Sequence, residues 1–346
     1  MATVQKVLGL CGRHGLLARH GGAERPELGP AGELLRHNVL CEWLLSSVVT
    51  PEENVFLCRA DPTDALFSSE LKERHAHVRD LSGGQLPYGI AETRERSGLS
   101  LATPGAESLD PSRGLELRLC VFAAHADSAQ RFHHWQRLRK MWWRKFSASP
   151  GRFSLTDVRG SEGDRSVHIR AEFPWGDHVL ETVTLRTRLP DHASLEARDG
   201  RRKLLPHAVE CVTLAERAVL ALLCDAYHEG DGRETLRLHR KLAPYKVALA
   251  AAPGGEGEEL GRLAAYLARL LRQAGVSVLV LPDCASKSLE SQFARNDALG
   301  VPYTAVLNAA TLRTGVLGLR GRDTTLKEQV HVSELKTHIE LILRNY

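Results

Sequence analysis

Residues 242–251 read LAPYKVALAA, and residues 294–324 read ARNDALGVPYTAVLNAATLRTGVLGLRGRDT. Together with the chain between and after them they spell out one small α/β module. Tyr245–Ala251 is a short apolar run led in by Pro244, which opens a strand but does not sit inside one. From Glu258 to Gln273, Leu260, Leu263, Leu267, Leu270 and Leu271 recur at helical spacing, and Gly275 stops the helix. Val276–Leu281 is a second strand-length run, Ser288–Leu299 a second helix closed by Gly300, and Val301–Leu307 a third strand. Val316–Leu319 reads as an edge strand after a Thr314-Gly315 turn, and Val332–Leu343 as a closing helix capped near Ser333. Alternation of this kind predicts a mostly parallel sheet with helices packed on it.

The same residues resemble the anticodon-binding domain of class II aminoacyl-tRNA synthetases. The Asp and Gly-Val-Pro-Tyr of NDALGVPY and the strand-borne Arg-x-Arg-Asp-Thr of residues 320–324 carry that resemblance, in matching order and spacing. A generic α/β domain of flavodoxin-like order explains neither block.

At 346 residues, the chain has room for two or three domains. Apolar content of 43% and charged content of 25% are those of a globular protein, and no apolar run is long enough to span a membrane. A net charge of +4 permits nucleic-acid contact without arguing for it. Cys11, Cys41, Cys58, Cys120, Cys211, Cys224 and Cys284 are scattered, with no C-x-x-C pair and no zinc spacing, which reads as free thiols in a reducing compartment. No metal and no cofactor is expected.

Residues 1–28 are basic before Glu24. They fit either a residual targeting sequence or a first domain helix over Val4–Leu17. GPAGELLRHNVLCEWLLSSVV, residues 29–49, places Leu34, Leu35, Val39, Trp43 and Leu44 on an amphipathic helix running into a strand. Its G-P-x-G opening, Asn38 and Trp43 resemble motif 1 of class II synthetases. Residues 50–85 read as a connection or small insertion containing the short helical stretch SSELKERHAHVRDL. QLPYGIAE, residues 85–92, resembles the strand before motif 2 in glycyl-type synthetases. There the pattern departs. A working motif 2 supplies Phe-Arg-x-Glu to hold ATP, whereas this chain continues TRERSGLSLATPGAESLDPSRG, with Arg94 and Arg96 but no aromatic and no correctly spaced glutamate. At the place of motif 3, Glu210, Cys211, Val212 and Thr213 stand where glycines would admit the nucleotide. Arg217 reads as a structural arginine at a helix start.

A degraded synthetase with this order of motifs resembles one family, the accessory subunit of the mitochondrial DNA polymerase, DNA polymerase gamma. GPAGELLRHNVLCEW, LPYGIA, MWWRKFSASP, FPWG, RDGRRKLLP, LHRKLAPYKVAL and LRGRDTTLKEQVHVSELK carry it from about Gly29 to the C-terminus. The expected fold class is α/β: a class II synthetase-like antiparallel-sheet core over 29–235, then an anticodon-binding-like mixed α/β domain over 236–346. The resemblance implies a non-catalytic protein of the mitochondrial matrix and nucleoid. It would bind the polymerase's catalytic subunit, strengthen its hold on primer–template DNA and raise its processivity. The C-terminal module would be a principal contact. Many family members carry a longer insertion that builds a homodimer and supports duplex binding. The 50–85 interval is too short for two good helices plus turns, which leaves homodimer formation and strong duplex binding open. Two alternatives stand beside this: an active class II synthetase of glycyl or prolyl type, and a stand-alone nucleic-acid-binding protein.

Three groups of residues are singled out. In RFHHWQRLRKMWWRKF, residues 131–146, Phe132, Trp135, Leu138, Trp142 and Phe146 share a helical face and read as core. Arg137 and Arg139 are expected to project outward, toward the polymerase or its DNA. Arg201, Arg202, Lys203, Arg237, Arg240 and Lys241 are candidates for duplex phosphates, although a solvated charged face fits equally well. Gly315, Arg320 and Arg322 are expected to hold the polymerase through an exposed sheet edge. The two arginines alternate with Leu319 and Gly321 and have no evident acidic partner in the module's own pattern.

Overall fold

The computed structural model describes residues 4–18, 27–60, 69–97, 113–160, 163–189, 195–230, 232–254, 256–281 and 286–344. Helix α1 (Val4–Arg13) buries Val4, Val7, Leu10 and Cys11, and α2 (Pro30–Leu44) buries Leu35, Val39 and Trp43. The G-P-x-G sequence has a steric reason. A Cβ at Gly29 or Gly32 would run into the backbone oxygens of Gly15 and Leu16, so only glycine lets α2 start against that segment. In return, the N–H groups of Gly29 and Ala31 donate to Leu16 and Gly15, each at 3.0 Å, and fewer donors near the helix start are left unpaired. Five residues of π-helix, Leu45–Val49, follow α2.

A large sheet comes next. Its strands are β1 (Asn54–Arg59), β2 (Tyr88–Ser97), β3 (Arg113–Ala123), β4 (Phe153–Leu155), β5 (Arg159–Gly160), β6 (Arg165–Phe173), β7 (Gly176–Arg186) and β10 (His207–Leu214), with a small hairpin of β8 (Ala197–Asp199) and β9 (Arg202–Leu204) beside it. The order is β1-β2-β3-β10-β7-β6-β4, with β5 on β6, and every pair is antiparallel except β1–β2. Alternation along the strands gives two faces. One carries Ala91, Leu119, Val121, Val183, Val209 and Cys211 into the main core, beneath α2, α4 (His125–Phe146) and α5 (Ala215–Ala226). Phe132, Trp135, Trp142 and Phe146 of α4 are buried there, as their helical spacing predicts, Leu138 is half-buried, and Trp143, outside that set, is buried as well. The opposite face has an apolar end, where Tyr88, Ile90 and Phe122 meet Val78 of α3 (Ser69–Leu81). The described part of residues 50–85 is thus an edge strand and one helix built into the fold, not a loose connection. Helix α1 is tied down by Lys6–Glu229 (2.9 Å) and Arg13–Glu234, both acids lying on the hairpin of β11 (Tyr227–Gly230) and β12 (Arg233–Leu236).

The C-terminal module has strands β13 (Val247–Ala251), β14 (Val278–Val280), β15 (Tyr303–Leu307), β16 (Val316–Gly321) and β17 (Lys327–His331), in the order β14-β13-β15-β16-β17. Helices α6 (Gly257–Gln273) and α9 (Leu335–Arg344) cover one face and α7 (Leu289–Ala298) the other. Two corrections follow. The sheet is mixed rather than mostly parallel, because β15–β16 and β16–β17 are antiparallel. The strand expected at the edge, β16, is interior, because β17 pairs beyond it. Strand β17 escapes a pattern reading because only Val330 of KEQVH is buried. Helix α8 (Ala309–Thr314) is too short to show a period. Gly315 is its left-handed C-terminal residue, at φ 71°, and not a hairpin turn.

The two halves share one core. Leu236, Leu238, Leu242 and Ala243 of the joining segment, with Ala298, Leu299 and Val301, belong to the same apolar cluster as α4 and α5. Asn38 of the motif 1-like helix spans the junction, its side-chain amide donating to the carbonyls of Leu242 and Ala243, both at 3.0 Å.

Candidate functional site

The motif 2-like and motif 3-like segments lie on neighbouring strands of one sheet, β2, β3 and β10, and their polar side chains share the face turned away from the main core. Here that face holds charges already paired within the chain. Arg118 donates to Glu116 at 3.0 Å and lies 3.4 Å from Glu210 and 4.0 Å from Glu92. Glu92 also accepts from Arg74 (2.9 Å), and Glu210 from Arg186 (2.9 Å), whose other arm reaches Asp164 (2.9 Å). Arg94, the arginine of the motif 2-like strand, is buried in register with Glu116. The residues in the motif 3 position complete the blockade. Glu210 is part of this network, Cys211 points into the main core, and the Thr213 hydroxyl donates to the Leu180 carbonyl at 2.8 Å. A triphosphate would have to displace carboxylates from these arginines, and burial makes each displaced charge costly. Arg217 is half-buried in the first turn of α5. The motif 2-like loop, residues 98–112, lies outside the described residues.

The expected polymerase contacts divide. Arg137 is exposed on α4. Arg139 is not. It is 1% exposed, donates to Glu181 at 2.6 and 3.2 Å, and reaches the hydroxyls of Ser46 and Ser47, each at 3.3 Å. Trp143 donates its indole N–H to the same carboxylate at 2.7 Å. Two residues along a helix is a turn of about 200°, so Arg137 and Arg139 face opposite ways.

Arg320 and Arg322 are also internal. Arg320 makes a two-pronged pair with Asp297 of α7, both arms at 2.9 Å, with its guanidinium 4.7 Å from the Phe293 ring centre. Arg322 donates to the carbonyls of Gly300 (2.8 Å) and Leu238 (2.9 Å), and to Asp323. The two motifs that mark the module, NDALGVPY and RGRDT, therefore bind each other. Asn296 donates to the Thr304 hydroxyl at 3.3 Å and completes that seam.

Of the basic set, Arg201, Arg202 and Lys203 are exposed at the β8–β9 hairpin, where Lys203 is opposite Arg198 in register. Lys203 borders a cleft of about 410 Å³ with Arg79 and Arg198. Arg237 is exposed on a different cleft, of about 480 Å³, where the joining segment, the end of α4 and the C-terminal module meet. Arg240 also lines it but is half-buried, with its guanidinium on the Tyr303 hydroxyl (3.2 Å) and the Ile342 carbonyl (3.0 Å), so it braces the module rather than facing a duplex. Lys241 is half-buried, and its carbonyl accepts from Lys246 at 2.6 Å. Burial holds the Lys246 ammonium down to about 7.

The six described cysteines are free thiols, and burial pushes the Cys120 and Cys211 thiols well up, so they are poor nucleophiles. No group of His, Cys, Asp and Glu able to hold a metal occurs among the described residues. None of the described helices is long and apolar enough to cross a membrane.

Residues 247–341 match the family model for the anticodon binding domain. Over 379 aligned residues the chain is 31% identical to DNA polymerase subunit gamma-2, mitochondrial, of Xenopus laevis, covering 89% of this chain and 80% of that protein. The chain belongs to the DNA polymerase subunit gamma-2 family. The Bos taurus gamma-2 protein is 28% identical, with 90% of this chain and 78% of that one covered. The glycine–tRNA ligase of Chlorobaculum tepidum is 26% identical across 90% of this chain and 68% of the ligase. The gamma-2 chain described here thus keeps a class II synthetase-like fold while its own side chains pair across the sheet face that carries the motif 2-like and motif 3-like residues.

Proposed function

We propose that this chain is the non-catalytic accessory subunit of mitochondrial DNA polymerase gamma, working in the matrix at the nucleoid. It binds the catalytic subunit and raises its affinity for primer–template DNA and its processivity. Membership of the gamma-2 family carries this reading. The ion pairs among the described charges of the synthetase-like face support the absence of adenylation, since a triphosphate would have to compete with carboxylates for those arginines. Arg137 is the proposed rim contact on α4, where charge acts mostly on association rate and salt dependence. Arg201, Arg202, Lys203 and Arg237 are the proposed contacts to nucleic-acid phosphates. On the C-terminal module, the proposed polymerase contact shifts from Arg320 and Arg322 to exposed side chains at the two ends of β16, Leu312 beside Gly315 and Leu326 in the turn to β17.

The test is primer extension by the catalytic subunit with and without this chain, scored by product length in a single binding event. Longer products and tolerance of higher salt are expected. Unchanged products would overturn the proposal. The glycine–tRNA ligase relatives keep one rival in play, an active synthetase. Amino-acid-dependent pyrophosphate exchange above background would establish it, and none is expected.

A further inference from the structure

Four of the segments that mark this sequence converge on the 480 Å³ cleft: the end of MWWRKFSASP, LHRKLAPYKVAL, the Pro-Tyr of GVPY, and RGRDT. Three of them, with Arg237 just before LHRKLAPYKVAL, bring different chemical groups. Arg237 contributes a guanidinium that makes no ion pair or hydrogen bond with another described side chain. Ser147 contributes a hydroxyl that is shielded from solvent and has no hydrogen-bond partner among the described residues, an unusual state for a buried polar atom. His239 accepts the Lys241 backbone N–H at its Nδ1 (3.2 Å), which leaves the proton on Nε2 as a donor. Pro302 and the half-buried Tyr303 also line the cleft.

The field in the cleft is positive. Burial, and after it the charges of Arg240, Lys145, Lys241 and Lys246, hold the His239 imidazole down to about 4. The lining carboxylate, Asp323, is already paired with Arg322 at 2.9 Å. Asp225, beneath the cleft, accepts the backbone N–H groups of Ala148 (2.6 Å) and Ser149 (3.2 Å). The imidazole is therefore neutral at physiological pH, a fixed donor beside an arginine that has no acidic partner among the described residues.

We propose that this cleft is a nucleotide-binding site. Arg237 and the His239 Nε2–H take the phosphate, the Ser147 hydroxyl joins them by turning about its Cα–Cβ bond, and the base lies against Tyr303. The volume suits a ligand of that size and excludes a duplex. An arginine with two neutral donors fits the several oxygens of a phosphate, and an aromatic face accepts any base. The unit is either a free nucleotide or the phosphorylated end of a single strand. This site lies apart from the synthetase-like sheet face, and nothing in it depends on the polymerase.

The experiment uses the full chain alone, with calorimetric titration of AMP, ATP, adenosine, inorganic phosphate and a 5′-phosphorylated ten-residue thymidine strand. AMP or the strand is expected to bind, and adenosine at least tenfold more weakly than AMP, because the phosphate contacts are charge-assisted. Arg237→Ala is expected to weaken binding about tenfold or more, and Ser147→Ala by a smaller factor, each at an unchanged melting temperature. Arg201→Ala with Arg202→Ala should leave it unchanged. Binding of AMP makes the ligand a free nucleotide, and binding of the strand alone makes it a strand end. No binding of either below millimolar concentration, or equal binding by Arg237→Ala, would overturn the proposal. Because the titration contains no polymerase, its failure leaves the stimulation of primer extension untouched, and the reverse holds too.

Discussion

Replacing Arg139 by alanine separates a surface role from a core role. The side chain lies between α4, β7 and the π-helical turn, with Glu181 at 2.6 Å and both residues 1% exposed. Truncation would strand the Glu181 carboxylate with the Trp143 indole N–H as its remaining side-chain donor, and would leave Ser46 and Ser47 facing a void. Removing one partner of a buried ion pair costs about 3–5 kcal/mol. A folding unit of roughly this size loses about 2–4 °C per kcal/mol, so melting should fall on the order of 10 °C. Arg137→Ala, on the exposed side, should stay within about 0.5 kcal/mol of the parent. Differential scanning calorimetry reads both, and primer extension corrected for folded fraction reads function. Arg139→Met combined with Glu181→Leu should recover much of the loss, because an apolar pair leaves no charge unpaired. An Arg139→Ala protein that melts within 2 °C of the parent, yet loses stimulation, would refute the core assignment.

Four further outcomes follow from the same geometry. Arg320→Ala strands Asp297 and should cost about 3–5 kcal/mol in urea unfolding, with polymerase binding tracking the folded fraction; binding lost at full stability would return Arg320 to the interface. Gly315→Glu places a side chain at φ 71° against the His331 ring, and should destabilise the module by at least about 1–2 kcal/mol in the same assay, so its pull-down with the catalytic subunit needs circular dichroism alongside. His75 is fully buried against the Tyr88 hydroxyl (2.8 Å), and burial holds it down to about 4, so below about 6.5 the unfolded chain takes up a proton that the folded one refuses. Stability should be flat above pH 6.5 on this account and fall by up to about 1.4 kcal/mol per unit toward pH 4, and His75→Phe should titrate less steeply in thermal melts. Neutralising Arg201, Arg202 and Lys203 should flatten the log–log salt slope of duplex binding by about 0.9 for each real contact, and an unchanged slope makes the hairpin a solvated face.

Much of the fold is legible in the chain because period and punctuation are local. Leu260 to Leu271 at helical spacing, Pro244 before a strand and Gly275 after a helix each act through their neighbours. The aromatics of 131–146 are core by the same logic. The side chains at 210–213, where a synthetase motif would have glycines, are legible too. Sequence placed β16 at an edge because the polar KEQVH gives no sign that it pairs.

Charge is the point at which local pattern stops informing. Arg137, Arg139, Arg320 and Arg322 look alike in sequence, and each was expected outside. Three are inside, because their partners are remote: Glu181 for Arg139, Asp297 for Arg320, and the carbonyls of Gly300 and Leu238 for Arg322. An arginine is buried only where the fold brings an acceptor to it, and that meeting is not written in the residues beside it. The cleft at Arg237 has the same origin. Its hydroxyl, imidazole, guanidinium and aromatic side chain come from three segments, and packing of the joining segment against both halves makes them one surface. Local spacing determined which elements form and what family they resemble. Tertiary packing decided which charges are spent inside the molecule and which are left to bind something else.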